Sequence, residues 1–283
     1  MGNQMFQYAL GRQLAHQSGQ ELRLDVSGLL YRNKAPGFVY RGYDLDVFRV
    51  EPRFLVPPRW LAPVYDLRVG PLSRRLRRLA ARGRPVVHEA HFHYDPAILA
   101  QARAGVTYEG WFQSPRYFAG VADQLREEFR FRRPPLPESA ALGDRIRATN
   151  SICLNVRRTD FLRVDTLNAT DRAYFLRGAA HLAERVAEPH FFVFSDDVAW
   201  CRQNIQLDQP TEFVDHDHKG YKFGNYLRLM TECRHFLIPN SSFAWWAAWL
   251  AESPGKRVVA PRNWFTDPAI DTSDLVPAEW TRL

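Results

Sequence analysis

Ile152-Cys153-Leu154-Asn155-Val156-Arg157-Arg158-Thr159-Asp160 is the stretch on which the fold turns: a strand-length apolar run that stops on two arginines and a carboxylate. The same grammar repeats downstream. Residues 171–187 carry helical spacing through Tyr174, Leu176, Ala180 and Leu182, and Phe191-Phe192-Val193-Phe194 is a second strand followed by a helix from Val198. Glu212-Phe213-Val214 is a weaker third strand, and 224–232 is a helix with Leu227 and Met230 on one side, Cys233 following. His235-Phe236-Leu237-Ile238 and Arg257-Val258-Val259-Ala260 are the fourth and fifth strands, separated by a helix over 242–251. Strands alternating with helices imply right-handed βαβ units and a parallel sheet covered on both faces, so this half is expected to be Rossmann-like.

Each strand is followed by a polar cluster. Arg157-Arg158-Thr159-Asp160, Ser195-Asp196-Asp197, Asp215-His216-Asp217-His218, Asn240-Ser241-Ser242 and Arg262-Asn263-Trp264 come in turn. The carboxyl ends of a parallel sheet share one edge, and ligands bind there, so five loops are expected to build one site. Asn240, Ser241 and Ser242 open a helix that is apolar all round and therefore buried. Its first N–H groups and the two hydroxyls suit a diphosphate; ordinary capping is the plain alternative. Two adjacent arginines point in different directions, so one is expected to face the cleft while the other braces the loop. Arginine holds phosphate oxygens bidentately and keeps its charge, which stabilises a departing nucleoside diphosphate. A surface ion pair to Asp160 or Asp165 is the alternative. Asp196 sits where a carboxylate can accept from guanine N–H groups, or cap the helix that follows.

Upstream the chain is less regular. Residues 4–18 look helical with Gly19 as the stop, Leu22, Leu24 and Val26 alternate as in a strand, 106–111 is another strand and 115–129 another helix. Residues 27–70 are loop-rich and the expected acceptor region. Phe131-Arg132-Arg133-Pro134-Pro135-Leu136-Pro137 reads as an extended linker. The expected division is an acceptor-side domain over 1–130, a linker over 131–150 and a donor-binding domain over 151–283. At 46% hydrophobic residues the chain can bury a full core. Three widely spaced cysteines give neither a metal spacing nor a disulfide framework. The net charge of +7 rests on arginine and favours anionic partners, although a GC-rich genome produces the same bias. No 18-residue apolar run and no signal peptide is seen, so the chain is expected to be cytoplasmic.

Gly2-Asn3-Gln4-Met5-Phe6-Gln7-Tyr8-Ala9-Leu10-Gly11-Arg12 resembles the N-terminal motif of the bacterial α-1,2-fucosyltransferases, glycosyltransferase family 11. Asn155-Val156-Arg157-Arg158-Thr159-Asp160 is similar to that family's H-x-R-R-x-D motif, and Ile238-Pro239-Asn240-Ser241-Ser242-Phe243-Ala244-Trp245-Trp246 to its third signature. His91-Phe92-His93-Tyr94-Asp95 and Trp111-Phe112-Gln113-Ser114 extend the likeness between them. The resemblance implies an α/β, GT-B-like fold of two Rossmann-like domains facing a cleft. It also implies inverting transfer of L-fucose from GDP-fucose to a galactose 2-hydroxyl, with no metal and no cofactor. Arg157 and Asp160 are then the catalytic candidates. Asn3, Gln4, Asn155, Arg158, Asp196, Asn240, Ser241, Ser242 and Phe243 are the donor-binding ones. Asn155 and Thr159 replace the motif histidine and a frequent glycine. The family's first strand and Gly-rich turn, which precede Gly-Asn-Gln, are expected to be missing from the first domain.

No general base stands out: Asp160 either serves or only orients the arginines, and Glu109 and Asp165 are the other candidates. A rival reading places a divalent metal on Asp215 and Asp217, as in GT-A transferases. Another makes the chain a catalytically inactive glycan- or nucleotide-binding relative. Residues 72–82 spell a basic amphipathic helix, expected to touch the inner face of the membrane near a lipid-linked, galactose-containing acceptor. No nucleic-acid motif is present, and none is expected as a partner.

Overall fold

The computed structural model describes residues 1–26, 29, 42–55, 85–159, 161 and 164–283. The protein is α/β. Its centre is a six-stranded, all-parallel sheet of β5 (Asn150–Val156), β6 (Pro189–Ser195), β7 (Thr211–Val214), β8 (His235–Leu237), β9 (Val258–Ala260) and β10 (Thr281–Arg282). The spatial order is β10-β9-β8-β5-β6-β7. The chain runs outward from β5 to β7 and then returns to the other side of β5 with β8, so the order reverses between β5 and β8. That reversal is where an open parallel sheet leaves a crevice beyond its carboxyl edge.

Alternation along β5 explains the two-sided burial. Ile152, Leu154 and Val156 pack with Phe191, Val193 and the α5 (Arg172–Ala183) residues Tyr174, Phe175, Ala179 and Leu182. Cys153 faces the opposite way with Phe192, Phe194 and Phe236, against α7 (Gly224–Thr231) and α8 (Ser242–Leu250). Near-continuous apolar strands are what a parallel sheet covered on both faces requires. Further helices are α1 (Gly2–Ser18), α2 (Pro96–Ala100), α3 (Ala122–Glu128), α4 (Ala140–Ala148) and α6 (Val198–Asn204).

α1 ends where expected, on Gly19 in the left-handed region (φ 64°). It packs across the sheet's helices: the Phe6 ring lies 4.7 Å from Trp245 and 4.9 Å from Trp246, and Trp246 Nε1 donates to the Gly2 carbonyl at 3.1 Å. One core therefore runs from α1 into α8. The remaining described pairing of the first half is two short parallel ladders, β1 (Leu24–Asp25) with β2 (Phe54–Leu55) and β3 (Val86–His88) with β4 (Thr107–Glu109). Strand and helix expected over 22–26 and 115–129 shorten to β1 and to a 3-10 turn (Pro115–Val121) leading into α3. The stretch 131–150 holds α4, and its Phe131 bridges Phe48 in antiparallel sense.

The expected membrane-contacting helix at 72–82 lies outside the described residues, as does most of the acceptor region over 27–70. Among the described residues, no helix is long and apolar enough to cross a membrane.

Candidate functional site

β5 and β6 end side by side, Val156 opposite Ser195, so the loops leaving them meet. Asp196 organises that meeting. Its Oδ1 accepts the Arg158 N–H at 2.9 Å; its Oδ2 accepts the Thr159 N–H at 3.0 Å and the Thr159 hydroxyl. Arg157 Nε stands 3.4 Å from the same Oδ2. The Arg158 guanidinium stacks 3.7 Å over Trp200 and pairs with Asp197 at 3.4 Å, while Asp197 caps α6 through the Trp200 N–H at 3.1 Å. Arg158 is thus the brace. Asp196 clamps the arginine loop where the sequence alone left it either to a base or to a helix cap. Asn155, 7% exposed, donates to the Phe194 carbonyl at 3.1 Å and locks β5 to β6 at the same edge. Asp160 lies outside the described residues.

Across the point of reversal, β8 runs into Pro239-Asn240-Ser241 and α8. Asn240 is buried, and its Nδ2 donates to the carbonyls of Leu167 at 2.8 Å and Trp264 at 2.9 Å. It pegs two rim loops to the start of α8. Ser241 is the N-cap residue, with extended backbone (φ −114°, ψ 122°), yet no side chain caps the helix. Ordinary capping is therefore not what these serines do. Ser242 donates its hydroxyl to Asn3 Oδ1 at 2.7 Å instead, and Phe243 is half-buried beside it. The approach is tight: a Cβ on Gly2 would lie 2.6 Å from the Ser242 carbonyl carbon and 2.7 Å from the Phe243 nitrogen. Glycine at this position lets α1 start against α8.

Asn3 is a junction, because its Oδ1 also accepts from Gln113 Nε2 at 2.8 Å. Gln4 is used locally: its amide donates to the Gly42 carbonyl at 2.7 Å and accepts the Asp44 N–H at 2.8 Å. The structure thus brings together Asn3, Ser242, Ser241, Asn240 and Phe243 on one side. Asn155, Arg157, Arg158 and Asp196 gather on the other, flanking the carboxyl edge between β5 and β8.

Two residues went unread in the sequence. Gln113 carries no signal beyond its place in the quoted motif. Glu89 lies just before another, and its carboxylate accepts the N–H groups of Trp111 at 2.7 Å and Phe112 at 2.8 Å. Burial raises its carboxyl above the ordinary range, against the lowering pull of those two N–H groups and of His91. Of the bases expected from sequence, Glu109 is exposed and lies 3.5 Å from His88. Asp165 opens a 3-10 turn whose carbonyl accepts the Thr266 hydroxyl.

The side chains around Asp215 and Asp217, where the rival reading sets a metal, have other partners. Asp215 pairs with Arg202 at 2.9 Å, His216 Nε2 contacts the Ser195 carbonyl at 2.7 Å, and His218 Nδ1 contacts the Ser139 hydroxyl at 3.0 Å. Among the described residues, no group of three or more His, Cys, Asp or Glu is placed to hold a metal ion.

A parallel sheet with an arginine loop and a serine-started helix at its reversal point defines a candidate binding site for an anionic, phosphate-bearing ligand. Comparison with known proteins gives the family. The profile of "Glycosyl transferase family 11" matches residues 102–283, well over half of the chain, and the protein belongs to that family. It is a glycosyltransferase. An "Alpha-1,2-colitosyltransferase" of Escherichia coli is 30% identical across 100% of this chain and 96% of its own length. The "O-antigen biosynthesis glycosyltransferase WbnK" of Escherichia coli is 29% identical over 47% of this chain and 45% of that protein. "Galactoside alpha-(1,2)-fucosyltransferase 1" of Bos taurus is 29% identical over 68% of this chain and 55% of that protein. A solved glycosyl transferase family 9 protein from Veillonella parvula covers 100% of this chain and 83% of its own, at 10% identity and a TM-score of 0.43.

Proposed function

We infer that the protein transfers L-fucose, or a closely related deoxy sugar, from its GDP-activated form to the 2-hydroxyl of a galactose, making an α-1,2 linkage with inversion and without a metal ion. The observation that carries the reading is the pairing of an arginine loop clamped by Asp196 with an uncapped α8 N-terminus at the sheet's reversal point. Arg157 and the first N–H groups of α8 take the diphosphate and stabilise its charge as it leaves. Ser241, Ser242 and Phe243 complete that pocket, and Asn3 reaches it through Ser242. Arg158, Asp196 and Asn240 hold the walls in place. The acceptor is a galactose-containing glycan.

Colitose transfer is a second reading, favoured by the full-length match to the Escherichia coli colitosyltransferase. The test is calorimetry in EDTA with GDP-fucose and with its GDP-activated 3-deoxy counterpart, on wild type and Arg157→Ala. Binding that survives EDTA and weakens about ten- to hundred-fold in the variant is expected, since a charge-assisted contact contributes about 1.5–3 kcal/mol. Binding only after a divalent ion is restored would return the metal to Asp215 and Asp217. No binding of either nucleotide sugar would sink the reading.

A further inference from the structure

The turn at 109–113 is built around one carboxylate. Glu89 is held by two successive backbone N–H groups, those of Trp111 and Phe112. A Cβ on Gly110 would fall 2.5 Å from Glu89 Cβ and 2.8 Å from its Oε2, so glycine alone admits the carboxylate that closely. Phe112, 1% exposed, holds a left-handed backbone (φ 52°) that costs a non-glycine residue about 1–3 kcal/mol. Strain of this kind persists where the surroundings over-determine it, and a surface acid needs none of it.

The turn also has a definite address. Gln7 Nε2 donates to the Gly110 carbonyl at 2.8 Å, and Gln113 reaches Asn3, whose Oδ1 takes the Ser242 hydroxyl. Glu89 therefore belongs to a turn fastened to the first turns of α1 and linked, through Gln113 and Asn3, to Ser242 at the start of α8. In that turn Trp111 leaves 51% of its surface to solvent, the most exposed of the described large hydrophobic side chains. An exposed indole offers a flat apolar face, with one N–H at its rim, to the C–H face of a hexose.

We propose that Glu89 is the proton acceptor for the attacking hydroxyl of the acceptor sugar, and that Trp111 is the platform on which that sugar rests. This rests on the glycosyl-transfer reading and adds to it the acceptor side of the site. In the step, the hydroxyl oxygen bonds to the donor's anomeric carbon. The anomeric carbon–oxygen bond breaks with its electron pair leaving on the diphosphate, and the hydroxyl proton passes to the Glu89 carboxylate and on to solvent. The groups facing that carboxylate are His91, which favours its charge, and the Tyr117 hydroxyl, with the exposed Glu109–His88 pair on β4 and β3 behind. The raised carboxyl sets an acid limb in the rate above the ordinary carboxylate range: activity is lost as pH falls through it.

The experiment is steady-state kinetics with GDP-fucose, or its GDP-activated 3-deoxy counterpart, and methyl β-galactoside, alongside GDP calorimetry, on wild type, Glu89→Gln, Glu89→Asp and Trp111→Ala. Glu89→Gln is expected to lower kcat about a hundred-fold or more and to abolish the acid limb, with GDP affinity unchanged. Glu89→Asp should recover part of the rate, and Trp111→Ala should raise the acceptor KM about ten-fold at unaltered GDP affinity. Glu89→Gln retaining kcat within about two-fold, or losing GDP affinity in step with rate, overturns the proposal and leaves the transfer reading standing. If wild type turns over neither sugar donor, saturation-transfer NMR with methyl β-galactoside decides. A galactoside signal lost in Trp111→Ala keeps the platform and refutes the transfer reading together with the proton-acceptor role of Glu89, whereas equal signals refute the platform.

Discussion

Asn240 shows how much one side chain can arrange. A single amide group, 3% exposed, ties the loop ending at Leu167 and the one beginning at Trp264 to the start of α8. Asn240→Ala leaves two carbonyls without their donor, and the expected cost is about 1–3 kcal/mol, read as a lower denaturant midpoint, with weaker GDP binding. Asn240→Asp should be no milder, because it turns a donor into an acceptor facing two acceptors. The sequence marks such residues without telling their jobs. Asp196 is expected near a guanine or at a helix start, and its carboxylate takes the N–H groups of Arg158 and Thr159, 38 and 37 residues away. Glu89 was not legible at all. Both depend on which strands lie side by side, and spacing along one strand carries no trace of that.

At the scale of elements, the second half was legible nearly strand by strand, because each buried parallel strand is a short apolar run followed by polar residues. β10 escaped for the opposite reason. Thr281–Arg282 has no apolar run and is a strand only through its pairing with Val259 and Ala260. α5 lies so close on the sheet that Gly178 has no room for a side chain: a Cβ there would meet Leu237 Cδ1 at 2.4 Å. Gly178→Ala is therefore expected to destabilise by about 1–3 kcal/mol, although alanine is the better helix former, and a thermal scan would show it. β8 begins on His235, half-buried, whose Nδ1 accepts the Arg257 N–H at 3.1 Å. Burial first, then Arg257 and Arg234, lowers its pKa below the free-histidine value. The folded state thus binds fewer protons than the unfolded one around that value, so stability is full above about pH 6.5 and falls as pH drops through the lowered folded pKa. Urea midpoints at pH 7.5 and 5.5 should differ in wild type and differ less in His235→Asn.

The molecule as a whole is joined through α1. Phe6 touches Phe118, Trp245 and Trp246 at once, in a core that runs from Met5 to Trp280. Phe6→Ala is expected to cost about 3–5 kcal/mol. The tryptophan near-ultraviolet signal and the far-ultraviolet helix signal should still unfold together, at a lower midpoint. Two separate transitions would mean that the halves are independent after all. The arginine loop has a last consequence, for turnover. Asp196 and Asp197 hold it in shape through contacts within the protein itself. A cradle fixed by the protein's own side chains grips the spent nucleotide as readily as the charged one. Transfer should then slow as GDP builds up, with discharge of GDP the step that paces the cycle, and a phosphatase added to the reaction should lengthen its productive life.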